Sequence, residues 1–413
     1  MPVPTSQDLR IGERIAAHRR RLGLTQQGLA MRLHRSKSWV TKTERGDRPL
    51  DSVRTLLEVA RALGVEVREL TGQPWFPEPG GPGHEHVPAL RGALTALRAR
   101  GAQQDQDDHM VEPRALGTLR RDVLDAGRLW QAEPNCYSAV IPLLPGLVTE
   151  ARLTAGASGV GEQRRANRVL ATVCQLAQEV AARLGEPDLS WIAAYHSLLA
   201  AQHADDHLLV AASAWRVCHA VLRVDNLDEV HDVATATAAD LRPQLRDPTP
   251  EGLSVYGALH LVGAVAAARG NDRAAAFGFL DEARASADRL GADRNDFWLT
   301  FGPTNVAIHD VAVLLEFGDP TGALRRAMAV DASGLPSLER RSTHHVQLAH
   351  AYSLRRKDGD AVRALLIAER FNPEGLRYNM LVRELVRSLL RRDRRQTAPG
   401  LRSLARRLNL FDG

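Results

Sequence analysis

The sequence predicts an all-α chain, with a compact cluster of short helices first and a long array of helix pairs after it. Three observations carry this expectation. Aromatic residues make up only 5% of the 413 residues, while Ala, Leu and Arg dominate, a composition that favours helices over sheet. Apolar residues recur at helical spacing rather than in alternation. From about Val87 onward, breaks of Gly, Asp, Asn and Pro fall roughly every twenty residues, as in repeated helix pairs.

The cluster occupies residues 1–72 and reads as four helices. Asp8 begins the first, with Ile11, Ile15 and Leu22 on one face and Arg14, Arg20 and Arg21 outward, and Gly23 stops it. Thr25 caps a second, Gln26 to Leu33, with Leu29, Ala30 and Leu33 turned inward. Ser36 caps a third that ends near Glu44, ahead of Arg45-Gly46. Asp51 or Ser52 opens a fourth, apolar at Leu56, Leu57, Ala60 and Leu63 and closed by Gly64. Two short helices joined by a tight turn, inside an all-helical unit of this size, make a helix-turn-helix arrangement.

Residues 73–88 hold five prolines and three glycines in sixteen positions and read as a linker. Trp75 and Phe76 within it are expected to dock on a neighbour rather than stand in water. Residues 89–413 are the helical array. Its breaks include Leu184-Gly-Glu-Pro, Arg269-Gly-Asn-Asp, Phe317-Gly-Asp-Pro, Asp358-Gly-Asp and Phe371-Asn-Pro, and the polar stretch Gly101 to Asp108 interrupts its start. One pair fits the tetratricopeptide pattern: Leu348, Ala349 and Tyr352, then Ala361, Leu365, Ala368 and Pro373. The small residues let two helices approach while the large ones fill the gaps. Ala264, Ala276, Leu280 and Ala283 match in part.

Charge is distributed unevenly. Residues 1–72 carry 14 Lys+Arg against 8 Asp+Glu, residues 73–380 carry 31 against 38, and residues 381–413 carry 9 against 3. A basic head points to an anionic partner. Only three of the basic residues are lysines, and Lys37 and Lys42 both fall on the third helix. The basic C-terminal stretch, Arg391 to Arg395 with Arg402, Arg406 and Arg407, reads as the solvated face of a closing helix, or as a contact for DNA or a partner.

Several classes are set aside. The longest apolar runs fall far below the ~20 residues of a membrane helix, so no span is expected. Met1 to Arg10 lacks the basic-then-apolar order of a signal peptide. Cys136, Cys174 and Cys218 are isolated, as in a reduced, cytoplasmic chain. The pairs His344-His345, His84-x-His86 and His203-x-x-x-His207 lack the carboxylate or cysteine order of a metal site, so neither metal nor cofactor is expected. No nucleophile elbow, phosphate loop or dinucleotide fingerprint occurs, and the chain is not expected to be an enzyme.

Leu22-Gly-Leu-Thr-Gln-Gln-Gly-Leu-Ala, followed by Ser36-Lys-Ser-Trp-Val-Thr-Lys-Thr-Glu-Arg-Gly, resembles the Cro/repressor-type (Xre) DNA-binding domain, over about Leu9 to Leu70. The resemblance implies a lambda-repressor-like fold whose third helix enters the major groove of double-stranded DNA. It assigns Gln26, with Gln27 beside it, to the phosphate backbone. With Val40 and Thr43 inward, Lys37, Ser38 and Thr41 become the base readers, and Lys42 and Arg48 phosphate contacts. Arg19 and Glu44 resemble the family's internal salt bridge, an architectural role. Departures are Gly28 where Glu is usual, Thr43 for Ile or Leu, and Trp39 for Ser or Thr. Trp39 packs either against sugar and thymine methyls or against an interdomain surface.

The array, over about Leu259 to Leu390, resembles the helical-repeat regulators of actinobacteria at Phe301-Gly-Pro-Thr-Asn-Val, Leu335-Pro-Ser-Leu-Glu-Arg-Arg and Arg377-Tyr-Asn-Met-Leu-Val-Arg-Glu-Leu. More distantly it resembles the peptide-pheromone-sensing regulators of Gram-positive bacteria. Trp298, Phe301, Asn305 and His309 fall at spacings of three and four, hence on one helical face. They read either as a ligand site, aromatics flanking an asparagine that can hold a peptide backbone, or as inter-repeat core. Together these features imply a sequence-specific transcriptional regulator, cytoplasmic and nucleoid-associated when bound. The array would make it a homodimer on a palindromic operator and take in a peptide or small-molecule effector. The alternative is a DNA-addressed scaffold whose array, of tetratricopeptide-like hairpins, binds a protein.

Overall fold

A computed structural model describes residues 6–33, 35–46, 53–65, 70, 84–96, 114–157, 159–223, 226–393 and 398–410. Among them the secondary structure is helical, apart from one isolated antiparallel bridge between Arg294 and Phe301. The chain divides into two compact units, residues 1–79 with 377–413, and residues 80–376.

The first unit begins with α1 (Ser6–Arg21), α2 (Gln26–Arg32), α3 (Lys37–Glu44) and α4 (Val53–Leu63). The hydroxyls of Thr25 and Ser36 accept from Gly28 N and Trp39 N and start α2 and α3. Ile15, Leu29, Ala30, Val40, Val59 and Leu63 form the core, closed by Leu70. Gly12 fixes how α1 meets α3, because a Cβ there would lie 2.5 Å from the carbonyl oxygens of Thr43 and Glu44. The helices Met380–Arg392 and Leu401–Arg407 pack on each other in the same unit. Arg402, Arg406 and Arg407 are exposed there and Arg391 is half-buried. Arg394 and Arg395 lie outside the described residues.

The second unit is a succession of antiparallel helices, paired most closely as Val160–Leu184 with Pro187–His203, Pro250–Arg269 with Arg273–Leu290, and Leu338–Leu354 with Asp358–Phe371. Where the last two pairs meet, Ala264, Ala276 and Ala283, and Ala349, Ala361 and Ala368, are fully buried, so small side chains set the close approach. Helix length is uneven, from 25 residues in Val160–Leu184 to five in Cys136–Val140. The array is therefore repeat-like rather than a strict repeat.

The structure corrects several sequence readings. Asp358-Gly-Asp is the first turn of a helix rather than a break; the turn lies before it, where Arg356 takes a positive φ of 58°. The C-terminal end of the expected linker is ordered into a 3-10 turn, His84–His86, and the start of the helix Val87–Thr95. Trp75, Phe76 and Gly101 to Asp108 lie outside the described residues. Helix Pro250–Arg269 is long and apolar enough to cross a membrane by composition, although run length had suggested no such segment. Its apolar window is 83% buried inside this unit, as in the central helix of a helical core. The three cysteines are free and buried, and burial pushes each thiol up to about 12.

Candidate functional site

In the head, polar side chains lock α3 against α1 and α2. Arg19 holds Glu44 through Nε–Oε1 at 2.5 Å and Nη2–Oε2 at 3.0 Å, with both side chains nearly buried. Burial would lower the Arg19 pKa, but the hydrogen bond to Glu44 outweighs it and raises it. Gln26 Nε2 donates to Glu44 Oε2 at 2.8 Å, and Thr41 Oγ1 lies 3.0 Å from both Gln26 Oε1 and the Lys37 carbonyl. The inner side of α3 is thus committed. Its outer side presents Lys37, Ser38 and Lys42, all exposed, and Gln27 is exposed at the start of α2.

The second unit holds a partly open cavity of about 70 Å³, room for several waters, with a mixed polar and apolar wall. Its wall is built from six helices and one loop. Helix His207–Arg223 contributes Trp215, Arg216, His219 and Arg223, a single face at spacings of three, four and seven. Arg216 Nη1 donates to Glu179 at 2.7 Å, and Arg183 reaches Glu339 at 2.7 Å while Arg340 holds its other oxygen at 2.8 Å. Burial would raise the Glu339 pKa, but Arg183 and Arg340 outweigh it and hold the carboxyl well below its usual range. Burial, reinforced by Arg340, brings His309 down to about 4, and burial, reinforced by Arg216, holds His219 well below its ordinary value, so both rings are neutral near pH 7.

The loop before helix Pro303–Glu316 shapes the rest of this wall. Phe297, Trp298 and Thr300 take left-handed backbone, with φ of 49°, 60° and 47°, a strained run for aromatic and branched residues. Side-chain bonds hold it. Asn295 Oδ1 accepts from Thr300 N and Oγ1, Asp293 accepts from Thr304 N, and Asn305 Nδ2 donates to the Thr300 carbonyl. Since Nδ2 must face that carbonyl, Asn305 Oδ1 is left as a buried acceptor without a partner. Gln131 Oε1, Gln178 Oε1 and Arg216 Nε are left in the same way at this cavity.

Comparison with known proteins places the first of these features. Residues 10–71 match the family described as "Helix-turn-helix domain". The head is a helix-turn-helix domain. No curated protein matches the chain. Among solved structures, Bacillus thuringiensis PlcR in complex with the peptide PapR7 and DNA is similar at 12% identity, over 68% of this chain and 96% of that one, with a TM-score of 0.28. That likeness is too remote to bear on function.

Within the helix-turn-helix domain, the expected DNA contacts divide. Lys37, Ser38, Lys42 and Gln27 stand free on the surface, whereas Gln26 and Thr41 turn their polar groups toward Glu44 and toward each other. Trp39 is half-buried against the domain's own core, with the Arg35 guanidinium 5.8 Å from its ring. Arg48 lies outside the described residues. In the array, Trp298, Asn305 and His309 line the cavity, but only Asn305 and His309 share a helical face: helix Pro303–Glu316 begins after Trp298 and Phe301. Phe301 is fully buried against Gly257, where a Cβ would come within 1.9 Å of its ring, so it is core and drops out of the ligand set. Sequence reasoning missed the cavity's arginines. The available signal was Arg216, the single charged residue in the largely apolar run from Leu208 to Leu222.

Proposed function

We propose that the protein is a DNA-binding transcriptional regulator, not an enzyme, whose helix-turn-helix domain reads an operator and whose array takes in a signal. The observation that carries this reading is the division of α3. Its inner side is tied down by Arg19, Glu44, Gln26 and Thr41, leaving exposed Lys37 and Ser38 to reach base edges and Lys42 to reach phosphate. A homodimer would place two such helices about 34 Å apart or a multiple of it, on a palindromic operator. The cavity supports signal input by a small effector. The protein would then work in the cytoplasm, on the nucleoid.

Selection of genomic fragments by the purified full-length protein tests the reading. Enrichment of a common inverted-repeat sequence supports it; a folded protein that retains no DNA at low salt refutes it. A DNA-addressed scaffold is the second reading, favoured by Trp191 and Tyr195, exposed at 42% and 49% one turn apart on helix Pro187–His203. A scaffold would lose a co-purifying protein on Trp191→Ala with Tyr195→Ala; a sensor would not.

A further inference from the structure

We infer that the cavity of the second unit binds a small organic oxyanion, a carboxylate or phosphate that also bears a hydroxyl or amino group, through Arg216, Arg223 and Arg340. This names the effector class for the signal-input reading and rests on that reading for its biological meaning. The binding itself stands on the geometry of this unit alone.

Charge is the first argument. Four guanidiniums, of Arg183, Arg216, Arg223 and Arg340, face two carboxylates, Glu179 and Glu339, while His219 and His309 are neutral. Arg183, Arg216 and Arg340 have those carboxylates as partners; Arg223 makes no ion pair among the described residues. Arg223 lines the cavity while remaining exposed to solvent; partial desolvation and the nearby Arg183 lower its pKa. An oxyanion beside it would relieve both effects.

Hydrogen bonding is the second. Gln131, Gln178, Arg216 and Asn305 are each more than nine-tenths buried, and each leaves one polar atom unpartnered at this cavity. Leaving such a group unsatisfied costs about 1–3 kcal/mol. Arg216 Nε needs an acceptor, which an oxyanion supplies. Asn305 Oδ1 needs a donor, which an oxyanion alone lacks and a hydroxyl or amine on the same ligand provides.

Preorganisation is the third. Trp298 and Thr300 sit in the strained left-handed run and are fixed there by Asn295 and Asn305, so the wall is formed before any ligand arrives. Trp215 and Trp298 both line the space, Trp215 with its Nε1 committed to the Ala258 carbonyl. Their rings offer flat apolar sides to a ligand's carbon skeleton.

The test uses the full-length protein with glycerol 3-phosphate, inorganic phosphate and L-malate as probes, and glycerol and matched sodium chloride as controls. Binding is read from tryptophan fluorescence and from Tm. Saturable quenching with a rise in Tm is expected for glycerol 3-phosphate or malate and not for either control. Response to both phosphates alone assigns a phosphate ligand; response to malate alone assigns a carboxylate. Arg223→Ala should weaken binding about tenfold or more. Gln131→Glu, which sets a negative charge against the anion without removing a bond that holds the loop, should abolish it, with helicity by circular dichroism confirming that both variants fold. The proposal is overturned if no probe gives a saturable response up to about 10 mM, if glycerol binds as well as its phosphate, or if both folded variants bind like the wild type. Fragment selection without probe is a separate readout, so a failure of anion binding is told apart from a failure of DNA binding.

Discussion

Two polar networks, one that ties α3 to its neighbours in the helix-turn-helix domain and one that lines the array's cavity, are completed to different degrees, although Thr43 Oγ1 beside the first is also buried without a partner. In the domain, Arg19, Glu44, Gln26 and Thr41 satisfy one another in a closed network. In the cavity, Arg216, Asn305, Gln131 and Gln178 are more deeply buried, yet each leaves an atom without a partner. A closed network fixes geometry and frees the outer side chains to meet something large, such as a DNA groove. An open one reserves its bonds for something small enough to enter. The contrast teaches where to look for each partner: outside the first network, inside the second.

Breaking the closed network should have the largest effect. Arg19→Ala strands Glu44 and should destabilise the helix-turn-helix domain by about 4 kcal/mol, with loss of DNA binding, as followed by urea unfolding of full-length protein through Trp39. The array's most crowded contact comes next. Gly257→Ala forces a Cβ to 1.9 Å from the Phe301 ring and should lower the array's unfolding free energy by about 3 kcal/mol; a variant as stable as wild type would show that Phe301 does not seat there.

Acidification sharpens the comparison further. Imidazoles ordinarily titrate near 6.5, but burial holds His309, His344 and His350 down to about 4. Between these values the unfolded chain takes up protons that the folded array does not, so stability is present above about pH 6.5 and is lost as pH falls toward 4. The loss should be on the order of 2 kcal/mol for each imidazole and is read by chemical unfolding at pH 7 and pH 5. The smallest effect is on discrimination. Lys37→Ala should cost about 1.5 kcal/mol of operator preference over scrambled DNA, roughly tenfold, without changing stability; unchanged preference in a titration removes Lys37 from the base readers.

The same contrast explains what was legible in the sequence. The head's helices were readable because their signals are local: Thr25 and Ser36 cap, and Gly23 and Gly64 stop, each within a few residues of what it controls. The outer face of α3 followed from the same periodicity. That Gln26 and Thr41 turn inward did not, since it depends on Gln26 of α2 meeting Thr41 and Glu44 of α3. In the array, the helix pairs were legible through their alanines, but the loop carrying Trp298 was not. Its spacing to Asn305 imitates a helix, while its left-handed backbone is set by packing with residues far away, Trp298 against Gly127 and Phe301 against Gly257. The cavity's charged wall, from Glu179 to Arg340, is brought together only by the fold, and no spacing rule could have collected it.

The measurement that tests the account most directly is a titration of full-length protein with its selected fragment and with a scrambled duplex of equal length, at two salt concentrations. The account predicts a specific affinity at least about a thousandfold tighter than the non-specific one, with both weakening as salt rises. Equal affinity for the two duplexes, or no binding at low salt by folded protein, would contradict it.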